Sequence, residues 1–348
     1  MSQADPDIRT ISHGLAAALR LLQHSYIRSE SGASGWYRQF PAKEPGPTAT
    51  AVGIMALQDG QELYDALTFL RSRQIKSDDP QLDGGWDVNH HRGIPVMEAT
   101  GWVLRCLALA SRDFLPNAPD VRRASAWVRR QQSDDGGWGS FYGCDSRVWL
   151  TCLGIRSLSP IRQGNGPCIR RGVDWLLAHR NPNTGCWGEL ADQPATVAHT
   201  AFALLSVAEA RPGWSDALLL QAHTWLEQEL LEHLEDSEQH YTAETYHTTN
   251  KLKGKATQLE MTLRNYGLPL ALSALLRHPT GIADTTLLAI ADKVLRTQLK
   301  TGYWPSCEPK VDLSIWVIWP YVQALSDARR WAVTRSFTHS ADSRKGRE

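Results

Sequence analysis

The chain has 348 residues, 42% of them hydrophobic, and carries 37 basic and 37 acidic side chains. That balance leaves no global field to attract nucleic acid or an anionic membrane, and no run of about 18 apolar residues reads as a membrane span. The six cysteines show no C-x-x-C spacing and the N-terminus is polar, without a signal-peptide pattern, so a reduced, cytoplasmic protein is expected.

Taken in chain order, the sequence repeats. Gly-Trp or Gly-x-Trp pairs end at Trp36, Trp86, Trp138, Trp187 and Trp304, and the first four tryptophans stand 50, 52 and 49 residues apart. From the second on, each pair follows an amphipathic segment, such as "DALTFLRSR", "ASAWVRRQQ", "GVDWLLAHR" and "ADKVLRTQL". Their apolar residues recur at i, i+3 and i+4, the pattern of a helix with one wet face. After the first four tryptophans comes a second segment, apolar nearly all round, beginning at Thr50, Thr100, Thr151 and Thr200. Two further copies, "LPLALSAL" from Leu268 and "IWPYVQAL" from Ile318, keep the apolar pattern and lose the threonine.

The spacing therefore predicts six helix pairs. A helix apolar on all sides must be buried on most of them, which suits an inner barrel of second helices inside an outer barrel of first helices. The expected fold is all-α, an (α/α)6 toroid of repeats of about 50 residues, with an open solenoid as the other architecture. One domain is expected over residues 1–335, with a polar insertion at about 231–262 that reads as a surface loop or a lid. A disordered tail is expected over 336–348.

"QSDDGGW" (Gln132 to Trp138) and "QLKTGYW" (Gln298 to Trp304) fit the Q-x-x-x-G-x-W motif of the terpene cyclase and protein prenyltransferase superfamily. "NPNTGCW" fits with Asn181 in place of glutamine, and "QLDGGW" fits with Gln81 one place late. The resemblance runs from about Ala16 to Arg330. Physically, the glutamine can bond backbone groups left open at a helix end, the glycine allows a positive φ, and the tryptophan packs over the joint. The tryptophans thus read as structural.

In that superfamily the reactive cavity lies inside the ring. The resemblance places Glu98, Arg147, His199, Arg264 and Asn265 at its mouth or wall. Trp102, Trp149, Phe202, Tyr266, Trp316 and Trp319 are the aromatic lining it implies. "TVAHTA" (Thr196 to Ala201) resembles the D-x-D-D-T-A text of class II cyclases but lacks all three acids, and Ala198 stands where their proton donor would be. Glu98 is the one inner carboxylate in that register, and a helix-start carboxylate is its plainer reading.

"GCDSRVWLTCLGIRSL" resembles the prenyltransferase β-subunit segment in which D-x-R begins an inner helix, mapping to Asp145 and Arg147. "EPKVDLSIWVIWPYVQAL" resembles their zinc-binding segment, with Asp312 on the zinc aspartate and Ser314 in place of the cysteine. Without that thiolate, zinc is disfavoured. Lys251, Lys253 and Lys255, beside Arg264, could hold a diphosphate, for which Mg2+ is the candidate counter-ion; no other cofactor is implied. A solvated loop is the plainer reading of those lysines. The resemblance implies an isoprenoid (prenyl diphosphate) enzyme, with Glu98, Asp145 and Asp312 as catalytic candidates and a helical partner subunit in the prenyltransferase case. With neither catalytic signature complete, a catalytically silent toroid that binds an isoprenoid or a protein is the alternative.

Overall fold

The computed structural model describes residues 8–36, 44–57, 62–88, 93–110, 118–141, 143–161, 164–190, 192–234, 243–252, 255–264, 267–278, 281–304 and 315–345. For 62, 243–252, 255–264, 316–317 and 336–345 it describes the backbone alone.

Among the described residues there are twelve α-helices in six pairs. The outer members are α1 (Ile8–His24), α3 (Glu62–Ser72), α5 (Pro119–Arg130), α7 (Gly166–Ala178), α9 (Ala217–Glu232) and α11 (Asp284–Arg296). The inner members are α2 (Pro47–Leu57), α4 (Met97–Ala110), α6 (Val148–Leu158), α8 (Val197–Ala210), α10 (Gly267–Leu275) and α12 (Ile315–Lys345). Each inner helix packs on the next, and α12 packs back on α2, so the inner barrel closes. The fold is the all-α toroid, not an open solenoid.

Patterning explains which helix goes where. In α1 the buried residues are Ile11, Gly14, Leu15, Ala18 and Leu22, one stripe. In α10 every residue from Gly267 to Leu275 is buried, as an inner helix with neighbours on all sides must be. At about 1.5–3 kcal/mol for each large apolar side chain buried, this burial dominates the stability of the ring.

The joints obey one rule. The indole Nε1 of Trp36, Trp86, Trp138, Trp187 and Trp304 donates to the carbonyls of Leu22, Leu70, Val128, Leu176 and Val294, at 2.8–2.9 Å. Each acceptor is in the last turns of the preceding outer helix, where carbonyls lack helical partners. The aligned threonines complete the joint: the backbone N–H of Trp36, Trp86, Trp138 and Trp187 donates to the hydroxyls of Thr50, Thr100, Thr151 and Thr200 at 2.9–3.1 Å.

The motif glutamines tie each joint to the next outer helix. Gln132 Nε2 donates to the carbonyls of Gly136 and Cys168, and Gln298 Nε2 to those of Gly302 and Gly14. In the second joint the glutamine is Gln74, donating to Gly84 and Asp120, not the Gln81 of the sequence alignment. Gln81 instead accepts from the Trp127 indole through its carbonyl. Gly136 and Gly302 have φ of +98° and +90°, and a Cβ there would stand 2.9 and 2.5 Å from the backbone oxygens of Arg171 and Ala17. Only glycine allows both that φ and that approach.

Two expectations change. The insertion, read as a surface loop or a lid, carries paired strands: β3 (Ala243–Leu252) and β4 (Lys255–Arg264) are antiparallel, in runs bearing Thr, Tyr and Leu. The tail expected to be disordered from 336 is helical to Lys345, because no glycine or proline follows Pro320 to stop α12 before Gly346. A short hairpin, β1 (Ile27–Arg28) with β2 (Ser34–Gly35), precedes Trp36.

Candidate functional site

The inner helices all start at one end of the barrel. There, Arg147 is the extended N-cap of α6, with no side-chain capping bond of its own. The cap comes from the next repeat: the carbonyl of Glu189 accepts from Val148 N–H at 3.0 Å and its Oε2 from Trp149 N–H at 3.1 Å. Glu189 is 1% exposed, and a carboxylate at a helix N-terminus is favoured by the macrodipole. Its Oε2 also lies 2.7 Å from His199 Nε2, and its Oε1 3.7 Å from Arg147 Nε. His199 is fully buried, and its Nδ1 meets the Thr196 hydroxyl at 2.8 Å. Arg147 further donates to the Ser140 hydroxyl.

Below this cluster the aromatic residues form a belt across four inner helices. Trp149 stands 6.0 Å from the His199 ring and 4.5 Å from Phe202. Phe202 stacks 6.2 Å from Trp102, and Trp102 meets Trp319 edge-on at 4.6 Å. All four are buried.

At the far end, where the inner helices stop, charges gather again. Arg105 grips Glu209 through two bonds of 2.6 and 3.1 Å, Arg156 approaches the same carboxylate at 3.5 Å, and Arg277 pairs with Asp327 at 2.8 Å. Burial, with Arg105 beside it, pulls Arg156 down to about 10. Burial pushes Glu209 up, but Arg156 and Arg105 outweigh it and hold the carboxyl below the usual range. The Arg156 guanidinium also lies 5.4 Å over Phe202, joining this end to the belt.

The structure thus brings Arg147, His199, Trp102, Trp149, Phe202 and Trp319 together. Glu98 and Asp145 are both exposed, Glu98 on the first turn of α4 and Asp145 in the loop before α6. Asp312, Lys253, Asn265 and Tyr266 lie outside the described residues, as do the side chains of Lys251, Lys255, Arg264 and Trp316. Glu189 was missed by sequence reasoning. Its signal was positional, since two residues past the joint tryptophan stand Val88, Ser140 and Glu189, and only the last is an acid. Burial pushes up the thiols of Cys106 and Cys152, the latter to about 12, as expected of core cysteines. Among the described residues no three His, Cys, Asp or Glu side chains converge as metal ligands.

No family model matches the chain. A probable squalene–hopene cyclase of Sinorhizobium fredii is 26% identical over 208 residues, covering 50% of this chain and 32% of that protein. The fold agrees: the type II terpene cyclase MstE of Scytonema superposes with a TM-score of 0.63 at 18% identity, over 94% of this chain and all of that one. The chain is a terpene cyclase-like toroid. It spans about a third of the length of the curated cyclase it matches. MstE has also been solved as a variant in complex with geranylgeranyl dihydroxybenzoate, its substrate. A β-1,3-1,4-glucanase of Paenibacillus shares the toroid at a TM-score of 0.59 and 9% identity, so the ring alone does not select a chemistry.

Proposed function

We propose that this terpene cyclase-like toroid binds an isoprenoid chain along its axis. The observation that carries the reading is the belt of Trp149, Phe202, Trp102 and Trp319 inside a closed ring, beside a buried polar cluster of Glu189, His199 and Arg147. Flat aromatic faces suit an unsaturated hydrocarbon and stabilise positive charge developing on it. The finer reading is a prenyl diphosphate, its head held at the mouth by Arg147 with Lys251, Lys253 and Arg264, and Mg2+ as counter-ion. Glu98 and Asp145 are exposed carboxylates near the starts of α4 and α6.

One observation favours binding without protonation-initiated cyclisation. Ala198 is fully buried on α8 where class II cyclases carry their acid. The nearest buried carboxylate, Glu189, already takes a helix N–H on Oε2 and faces His199 and Arg147. Alkene protonation needs a positioned acid whose proton faces the substrate.

Farnesyl and geranylgeranyl diphosphate, each with and without Mg2+, separate the readings. Thermal stabilisation that is lost in Trp102→Ala supports the isoprenoid site, and product by mass spectrometry would restore an enzymatic reading. No stabilisation with either ligand would remove the proposal.

A further inference from the structure

Four of the five Gly-Trp joints close against the next outer helix. Two residues before their tryptophans stand Gly84, Gly136, Gly185 and Gly302, all with φ between +71° and +98°, and a Cβ on any of them would lie 2.2–2.9 Å from that helix's backbone. The first joint departs from this rule. Ser34 takes the glycine position, the left-handed glycine moves to Gly32, and no atom lies within 4 Å of where its Cβ would be. No motif glutamine precedes Trp36 either. Between the β1–β2 hairpin and α3, which meet through Arg28 and Asp65, lies an open cleft of about 440 Å³.

The lining of that gap is chemically mixed. Arg28 and Asp65 pair across its rim, so their charges cancel. Arg73 lies with its guanidinium 5.4 Å over the Phe69 ring, and among the described residues it enters no ion pair. Glu44 is held at Ser31 at 3.1 Å. The planar fork of a guanidinium can meet an oxyanion with two N–H groups at once. Tyr64, 69% exposed, offers an open aromatic face at the same gap. The exposed Thr68 hydroxyl and the Asp65 carboxylate supply a donor and acceptors of the kind sugar hydroxyls use.

We propose that this gap binds a small phosphorylated sugar. The phosphoryl oxygens take Arg73, the sugar's C–H face lies on Tyr64, and its hydroxyls meet Asp65, Arg28 and the Thr68 hydroxyl. A lipid tail does not fit so polar a lining, and strands of two residues are too short to add a peptide strand. The site lies outside the ring and does not depend on the isoprenoid reading.

Isothermal titration of the full chain with glucose 6-phosphate, glucose and inorganic phosphate tests this. The sugar phosphate should bind at least about tenfold more tightly than either part, since a charge-assisted contact and a stacked face add in one ligand. Arg73→Met should weaken it by about tenfold or more, the loss of one charged contact. Thr68→Trp, on the exposed side of α3, should fill the gap and abolish binding with the melting temperature retained. No heat with any probe, equal binding in Thr68→Trp, or phosphate alone binding as tightly as the sugar phosphate would each overturn the proposal.

Discussion

The two ends of the inner barrel are mirror cases. At the end where the inner helices start, a buried carboxylate, Glu189, meets backbone N–H groups, and Arg147 and His199 gather round it. At the end where they stop, Arg105 donates to the carbonyl of Arg156 at 2.6 Å and Arg277 to that of Ser273 at 2.8 Å, and Glu209 and Asp327 gather round the arginines. Helix dipoles account for both signs, anions at N-termini and cations at C-termini. The charged groups at the two ends are thus largely explained by the helices they terminate. The aromatic belt between them terminates no helix, and it is the part on which the proposed isoprenoid site rests.

The ends differ in depth, and that difference can be broken. Glu189→Ala should have the largest effect, about 3–5 kcal/mol by urea unfolding, because it removes the carboxylate that faces Arg147 and His199 and leaves the buried Trp149 N–H without its acceptor. A loss under about 1 kcal/mol would mean that water replaces the carboxylate and that this end is wet. Acid should act near the other end. His223 packs 4.6 Å from His278, just beyond α10, and burial, only partly offset by the Leu219 carbonyl, pulls His223 down to about 4. The unfolded chain binds that proton below about 6.5 while the folded chain refuses it until about 4. Stability is therefore complete above that window and falls by up to about 3 kcal/mol as pH drops through it. His223→Phe should flatten the curve between pH 7 and 4; an unchanged slope would assign acid sensitivity elsewhere. The smallest effect belongs to Glu209→Gln, about 1–2 kcal/mol, since its side chain is 27% exposed and the amide still accepts from Arg105. Raising the salt concentration should narrow the gap between wild type and this variant.

The ring was legible because its signals are local and repeated. A 50-residue period, tryptophans at matching places and second segments without a wet face lead directly to six pairs and an inner barrel. The belt was legible only in part through helical register: Trp102 and Phe202 stand two residues after their aligned threonines, whereas Trp149 stands two before its own. Glu189 was not, because its role is made across repeats: it sits in one joint and caps the inner helix before it. Gln74 was hidden for a related reason, its extra distance from Trp86 being absorbed by the longer turn at 76–83 that Asp79 and Asp83 organise. The strands at 243–252 and 255–264 were not read from the sequence, where a surface loop or a lid was expected, because polarity was weighed above the Thr, Tyr and Leu of these runs.

The bond from Gln298 to the carbonyl of Gly14 joins groups 284 positions apart. Beside it, a Cβ on Gly14 would collide with Leu295 and approach Leu325, so the seam is as tightly fitted as any joint. During synthesis, the stripe of Ile11, Leu15, Ala18 and Leu22 must therefore wait for its partners until nearly the whole chain exists. Closure is the long-range, late event of folding, and an intermediate open at that seam shows an apolar edge that a second unfinished ring could fill by exchanging its last helix pair.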